Sequence, residues 1–555
     1  MFYRMATQRM QISRKYFGVT AAISLTEPKP EDLQHTTELE KVLKSYDVFE
    51  DPSELEHRKK ILAKLDTLVK QWVRDVSIAK NIPEAVADTL GGKIYPIGSY
   101  RLGVHGKNAD IDALCVAPRN IEWTDYFGPF FELLRRQPEV TECRAVEEAF
   151  VPVIKMKFAG IEIDLLFTRL AFKEIPDHFD LCDNMLLQNL DPKSVRSLNG
   201  IRVAEEILRL VPNVDNFRLA LRAIKLWAKS RGIYSNSLGY FGGVSWAILV
   251  ARTCQLYPNA TAATLVHRFF LVFSNWQWTQ PVQLKYPENV NLGFQVWDPR
   301  VNYRDGLHLM PIITPAYPEQ NSTFNVSSST RQVMIDEFHR GKKITDEIMI
   351  SKAAGWDKLF AAPSFFFNYR HFIVLLASSD NAADHLEWCG LVESKVRLLV
   401  QSMERNPHIK LAHVNPKCFK HHGDTSKDGE LCSLWFIGLA FDRTKNLNVD
   451  LTESIIKFTH TIHSQAGHLG KDGTNIEARH IRRNQLSLYL EPNLLAQEVS
   501  NLKASSPKNG ETGETSRKRP RSDDGQTATV NKKARKDSET PQSAIASHYR
   551  VPSSG

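Results

Sequence analysis

Two short segments carry the side chains best suited to chemistry. Gly98-Ser99 is followed eleven residues later by Asp110-Ile111-Asp112, and Asp164 stands in the apolar run Ile161-Glu162-Ile163-Asp164-Leu165-Leu166-Phe167. Side chains on an extended strand alternate between faces, so Asp110 and Asp112 point the same way, about 6.6 Å apart along the chain. Ile111 and Ala113 then face a core. By the same alternation Ile161, Ile163 and Leu165 form a buried face and Asp164 projects from the other. If the two strands are neighbours, three carboxylates converge. Such a group repels itself unless protons or cations neutralise it. Hard carboxylate oxygens favour Mg²⁺ or Mn²⁺ over zinc. Two such ions about 3.5–4 Å apart activate an attacking hydroxyl and steady the leaving group of an in-line displacement. Gly98 and Ser99 suit a turn whose backbone N–H groups approach a triphosphate. The chemistry indicated is metal-dependent nucleotidyl transfer.

The elements that must hold these residues follow from periodicity. Residues 35–90 read as helical, with apolar positions at three- and four-residue spacing from Leu55 to Val76. From Ile94 to Phe167 short β-like runs alternate with one helical stretch, Thr124 to Arg136. Residues 199–350 turn helical again: Asn216 to Arg231 sets Phe217, Leu221, Ile224 and Ala228 along one face, and Gly242 to Leu256 is a more apolar, buried helix. Residues 362–490 form a separate unit. Strands are expected at Phe365–Ser378, Ile409–Val414, Leu434–Phe441 and Gln485–Leu490, with helices at His385–Glu404 and Leu451–Gln465. That β-α-β-β-α-β order is a split βαβ sandwich, common among RNA-binding modules. Leu434-Trp-Phe-Ile-Gly-Leu-Ala-Phe441 lacks the basic-Gly-aromatic pattern whose rings stack on bases, so RNA contacts are expected instead from charged residues such as Lys395 and Arg397.

Bulk composition sets the limits. At 555 residues the chain exceeds one compact core, and 42% hydrophobic with 24% charged residues is ordinary globular composition. No apolar run approaches the roughly 20 residues of a membrane span. The N-terminus lacks a signal-peptide layout, so secretion is not expected. Seven scattered cysteines without a CxxC pair argue against a disulfide framework and a zinc site. Residues 503–555 hold 11 Lys and Arg against 6 Asp and Glu, so five of the eight net positive charges lie in this tail. The tail has no Phe or Trp and reads as disordered. Its two clusters, Arg517-Lys518-Arg519-Pro520-Arg521 and Lys532-Lys533-Ala534-Arg535-Lys536, have the spacing of a bipartite nuclear-import signal.

Longer blocks narrow the reading. The Gly-Ser, Asp-x-Asp and distant Asp spacing resembles the nucleotidyltransferase superfamily that includes DNA polymerase β. Tyr95-Pro-Ile-Gly-Ser-Tyr-Arg-Leu-Gly-Val-His105, Ala109-Asp-Ile-Asp-Ala-Leu-Cys-Val-Ala-Pro118, Gly239-Tyr-Phe-Gly-Gly-Val-Ser-Trp246 and Gly390-Leu-Val-Glu-Ser-Lys-Val-Arg-Leu-Leu399 resemble the eukaryotic nuclear poly(A) polymerases, over residues 20–490. That resemblance implies template-independent addition of AMP from ATP to the RNA 3′ ends of mRNA precursors, with release of pyrophosphate. It implies two Mg²⁺ or Mn²⁺ ions on Asp110, Asp112 and Asp164, the last placed to take or orient the proton of the 3′-hydroxyl. ATP contacts fall on Ile97, Gly98, Ser99, Lys225, Tyr234, Gly243 and Val244, besides the three aspartates. Phe150, Lys155, Asn236 and Asn325 fall where the family meets RNA or the incoming adenine. The pattern departs at Ile97, where members often have Phe, and across Gly106-Lys107-Asn108-Ala109.

The expected fold is a multidomain α/β chain. A mixed-sheet nucleotidyltransferase domain with N-terminal helices spans 20–200, a helical middle domain 201–355, a βαββαβ RNA-binding domain 356–495, and a basic tail 503–555. The expected setting is the nucleus, as a monomeric catalytic subunit recruited by the cleavage and polyadenylation machinery, away from membranes. A terminal uridylyltransferase and a non-enzymatic RNA scaffold are the competing readings. The first differs only in base choice; the second is disfavoured by the intact carboxylate triad.

Overall fold

The computed structural model describes residues 18–421, 431–442, 449–467 and 473–505. They divide into two compact units, one running to Ala362 and including Glu393–Arg405, the other comprising Pro363–Val392 and the described residues from Asn406 on.

The first unit opens with helices α1 (Pro30–Ser45) and α2 (Pro52–Ala79). Both place proline in the first turn, where its missing N–H costs no helical bond. Ile61, Leu65, Leu68, Trp72 and Val76 of α2 pack on a five-stranded sheet. Its strands are β1 (Lys93–Pro96), β2 (Ile111–Ala117), β3 (Val140–Val146), β4 (Val153–Phe158) and β5 (Ile161–Arg169), in the order β1-β2-β5-β4-β3. Only the β2–β5 pair is parallel. Ile111, Ala113, Ile163 and Leu165 lie on the α2 side, as strand alternation requires. Leu114 and Val116 face a second core shared with Leu198 and Ile201 of α4 (Pro192–Leu210). A single turn, α3 (Gly98–Leu102), links β1 to β2.

The helix expected at Thr124–Arg136 is broken. A turn at Trp123–Asp125 and a helix at Phe131–Arg135 flank a π-helical segment, Tyr126–Phe130, that contains Pro129. Proline removes an N–H and crowds the carbonyl of the preceding turn, which widens the coil. The longer helices that follow α4 in this unit are α5 (Val214–Ser230), α6 (Gly243–Leu256), α7 (Ala262–Ser274) and α8 (Ser328–Met349). Asn213 caps α5 through the Asn216 amide at 2.9 Å, so that helix starts two residues before the expected Asn216. Trp227, Trp246, Phe269 and Phe338 knit α5–α8 together edge to face.

The second unit holds β6 (His371–Ser379), the first part of α9 (Ala382–Glu404), β7 (Ile409–Val414), β8 (Phe419–Lys420), β9 (Leu431–Phe441), α10 (Thr452–Gln465) and β10 (Thr474–Arg482). The sheet runs β10-β6-β9-β7, antiparallel throughout. Apart from the short extra strand β8, which pairs with β9, the β-α-β-β-α-β order is as expected, with two further corrections. Phe365–Asn368 is a helical turn and the strand begins only at His371. Phe365, Phe366 and Tyr369 enter one core; a strand would have sent Phe365 and Phe366 to opposite faces. The last strand is Thr474–Arg482, while the expected Gln485–Leu490 lies largely in a 3₁₀ turn, Arg483–Leu488. Leu486 and Leu490, four apart, meet the core at helical spacing. The two basic clusters of the tail lie outside the described residues. Among the described residues no helix is long and apolar enough to cross a membrane.

Candidate active site

The parallel ladder sets Asp112 and Asp164 directly beside each other on β2 and β5. The antiparallel ladder sets Lys155 of β4 on the other side of Asp164. Asp110 sits one residue ahead of β2 and is exposed. Asp112 is the most enclosed of the three: burial first, then the charges of Asp110 and Asp164, push its carboxyl up to about 7, against the pull of Lys155 and Lys225. Lys155 forms an ion pair with Asp164. The expectation that Lys155 meets RNA or adenine therefore acquires a second element: in this state the lysine neutralises the triad.

No three His, Cys, Asp or Glu side chains among the described residues stand as a ready-made metal cage. The donor chemistry nonetheless fits a divalent cation. Three carboxylates share one wall, burial and the charges of its neighbours raise one of them to about 7, and Lys155 and Lys225 offset them.

Gly98 has a structural reason to be glycine, alongside the expected approach of a phosphate. Its φ is +58°, and a β-carbon there would fall 2.4 Å from Asp112 Oδ2. The Ile97 amide donates to the Asp112 carbonyl at 2.8 Å, tying the turn to the strand. The Ile97 side chain is buried, reaching toward Gly200, and its carbonyl accepts from Arg101 N at 3.2 Å. Ser99 lies in the first turn of α3, and its carbonyl accepts from Val104 N at 2.9 Å.

The segment from α3 to Asp110 is gripped by its carbonyls. From α5, Arg218 donates to Leu102 O at 3.0 Å and Arg222 to Gly103 O at 2.9 Å and His105 O at 2.6 Å. Lys225 donates to Val104 O at 3.1 Å. From α2, Arg58 donates to Ala109 O at 2.6 Å. Glu50 pairs with Arg58 and meets His105 Nε2 at 2.8 Å. None of Glu50, Arg58, His105 or Arg222 was singled out from the sequence. The available signal was the basic spacing 218, 222, 225 on α5, one stripe beside its apolar face.

Burial, then the charges of Lys229 and Arg222, lower Lys225 to about 8 despite the pull of Asp110 and Asp112. Tyr234 is raised to about 12 by burial and by the same two aspartates, and its hydroxyl would meet a β-carbon at Gly243 at 2.8 Å. The tyrosine thus lies between the triad and the first turn of α6, where Val244 is 39% exposed. Asn325 is buried and donates to Asn236 O at 3.0 Å and Oδ1 at 3.1 Å, while Asn236 donates to Ser322 O at 3.0 Å. Asn325 therefore holds the 234–242 loop, and the helix cap of α8 is Ser327. Phe150 is 77% exposed, with the Arg196 guanidinium 4.3 Å from its ring. Lys395 and Arg397 are half-buried on α9, and burial lowers both.

Known proteins match this layout. Residues 18–211 match the poly(A) polymerase nucleotidyltransferase domain, 216–362 the poly(A) polymerase central domain, and 364–434 with 422–500 the poly(A) polymerase predicted RNA binding domain. A poly(A) polymerase of Dictyostelium discoideum is 44% identical over 508 residues, covering 90% of this chain and 62% of the relative. Nuclear poly(A) polymerase 1 of Arabidopsis thaliana is 43% identical over 488 residues, covering 87% of this chain and 67% of the relative. The chain thus spans about two thirds of the length of these relatives. The MgGTP-bound Cid1 poly(U) polymerase superposes with a TM-score of 0.43 at 15% identity, covering 59% of this chain and 99% of its own, a likeness that carries no weight for this chain. By its domains and its relatives, this chain belongs to the poly(A) polymerase family.

Proposed function

We propose that the chain adds AMP from ATP to RNA 3′ ends without a template, building the poly(A) tail of mRNA precursors in the nucleus as a monomeric subunit of the cleavage and polyadenylation machinery. The observation that carries the chemistry is the register of Asp112 against Asp164, with Asp110 one residue ahead of the same strand. Two divalent cations on Asp110, Asp112 and Asp164 would sharpen the 3′-hydroxyl as a nucleophile and offset charge on the departing pyrophosphate. Asp164 orients that hydroxyl or accepts its proton. The oxygen bonds to the α-phosphorus of ATP as the bond to the β-phosphate oxygen breaks, and pyrophosphate leaves. Such transfer rests on positioning and electrostatics.

The remaining residues divide that work. The Gly98 amide with the Ser99 hydroxyl, and the first turn of α6 at Gly243 and Val244, offer donors to the phosphates, while Ile97, its own amide bonded to the Asp112 carbonyl, fixes the turn that presents them. Lys225 supplies a desolvated positive charge to the β/γ oxygens. Tyr234 closes the site between them. Phe150, Lys155 and Asn236 meet the RNA end or the adenine, with Asn325 fixing Asn236 in place. The domains divide near 20–200, 201–355 and 356–495.

Primer extension of oligo(A) with each of the four nucleoside triphosphates in Mg²⁺ or Mn²⁺ tests the reading. Incorporation of ATP alone is expected, and Asp164→Ala should abolish it while leaving RNA affinity nearly intact. Equal use of UTP, or a tenth of the wild-type rate in Asp164→Ala, would overturn it.

A further inference from the structure

The second unit carries a basic constellation at one end of its sheet. In the β6–β10 ladder His371 lies directly opposite Arg482, and His480 lies two residues before Arg482. In the β6–β9 ladder His371 lies opposite Leu439, two residues before Phe441. Alternation therefore puts His371, His480, Arg482 and Phe441 on one face. The two imidazoles lie edge to edge in nearly one plane, centroids 5.3 Å apart and planes at 17°, with His371 Nδ1 3.0 Å from His480 Nε2. Phe441 meets His371 edge-on at 5.4 Å.

Around these rings the charge is of one sign. The groups acting on His371 are Arg482 and Arg370, and those acting on His480 are His371 and Arg482. Burial and these cations hold both imidazoles below the ordinary histidine value. Among the described residues neither Arg370 nor Arg482 has a carboxylate partner, in contrast to Arg479, which pairs with Glu477. Arg370 and Arg482 are exposed. Two free guanidiniums beside a half-buried imidazole pair form a site for an anion. The nearly coplanar rings add a flat surface on which a base can lie.

The geometry points to His371, His480, Arg370 and Arg482 as a binding site for the phosphodiester backbone of single-stranded RNA. This rests on the reading of the chain as an enzyme acting on RNA ends. An acidic peptide would use the charges but not the flat ring surface, so RNA is the occupant the constellation favours. A phosphate between the guanidiniums and the rings stabilises the protonated imidazole, so binding strengthens as pH falls through the histidine range.

Fluorescence anisotropy of labelled oligo(A) on the full chain tests this. Arg370→Gln with Arg482→Gln should weaken binding about tenfold and lower the salt dependence by about 1.4 in log–log slope, at about 0.7 per contact on single strands. These residues are exposed, so the urea midpoint should not move. His371→Asn with His480→Asn should remove the gain in affinity between pH 8 and 6. Unchanged affinity and slope in the arginine variant, or loss of poly(Glu) binding with oligo(A) binding intact, overturns the site. If wild type extends oligo(A) but the variants bind as wild type does, this inference fails and the enzymatic reading stands. If wild type fails to extend, the enzymatic reading fails while the binding comparison still reports on the site.

Discussion

Lys225→Met should stabilise the ligand-free protein while removing its use of ATP. Lys225 falls from the ordinary lysine value of 10.5 to about 8 in the folded chain. That difference corresponds to an upper limit of about 3 kcal/mol by which burial of the ammonium weakens folding at neutral pH. It donates to the Val104 carbonyl at 3.1 Å, a bond whose loss costs about 1 kcal/mol. Methionine has nearly the same length and no charge, so a net gain of about 1–2 kcal/mol is expected in urea unfolding at pH 7. The gain depends on pH. Folded Lys225 gives up its proton near pH 8, whereas the unfolded chain keeps it until 10.5. Across that interval the unfolded state binds more protons, so wild-type stability rises with pH relative to the variant and the gap closes by about pH 10. In primer extension the variant should lose about 10²–10³-fold in kcat/KM for ATP, the scale for removing one charge that meets the transition state. A variant less stable than wild type at pH 7, or a gap unchanged from pH 7 to 10, would refute the claim that this lysine is held at a cost for a ligand's charge.

Three more outcomes are expected. Gly98→Ala combines a positive φ with a β-carbon on the Asp112 carboxylate, so urea melts should show a loss of about 1–3 kcal/mol; extension by this variant at the wild-type rate would disprove the contact. Arg222→Met removes three carbonyl bonds, counting that to Val48 O at 2.9 Å. It should cost about 2–4 kcal/mol in the same melts, with a cost under 0.5 kcal/mol counting against the grip. Glu498 accepts from the Phe366 amide at 2.8 Å and is raised to about 7, chiefly by burial. Between the ordinary value of 4.5 and about 7 the folded state binds more protons, so stability falls as pH rises there; Glu498→Gln should flatten that slope and gain about 1 kcal/mol at pH 8.

How much of this could be read from residues alone depends on which interactions are local. The alternation that sends Ile111 and Ala113 one way and Asp112 the other is a property of any strand, so the triad was legible. The register that sets Asp164 against both Asp112 and Lys155 arises from pairing between segments some fifty and nine residues apart, which no local pattern fixes. Thr474–Arg482 escaped because an edge strand with one wet face alternates Ile476 with Glu477 and Arg479, and so reads as surface. The neighbouring apolar run Gln485–Leu490 was the stronger strand signal, yet Leu486 and Leu490 reach the core at helical spacing. Asn325 kept its place by the site, and its amide N–H group holds Asn236, a contact that only hydrogen-bond partners reveal.

The grip on residues 102–109 explains where this chain can vary. Arg218, Arg222, Lys225 and Arg58 all hold main-chain oxygens, and no side chain of Lys107, Asn108 or Ala109 enters that set. The shape of the loop is thus written by four distant cations rather than by its own letters. Substitution within the loop is cheap so long as the backbone can still follow its path, as at Asn108 with φ +57°. The departures from the family pattern at Gly106-Lys107-Asn108-Ala109 fall in this stretch. Changing a side chain within the loop leaves the clasp intact, whereas changing Arg58, Arg218, Arg222 or Lys225 removes part of it.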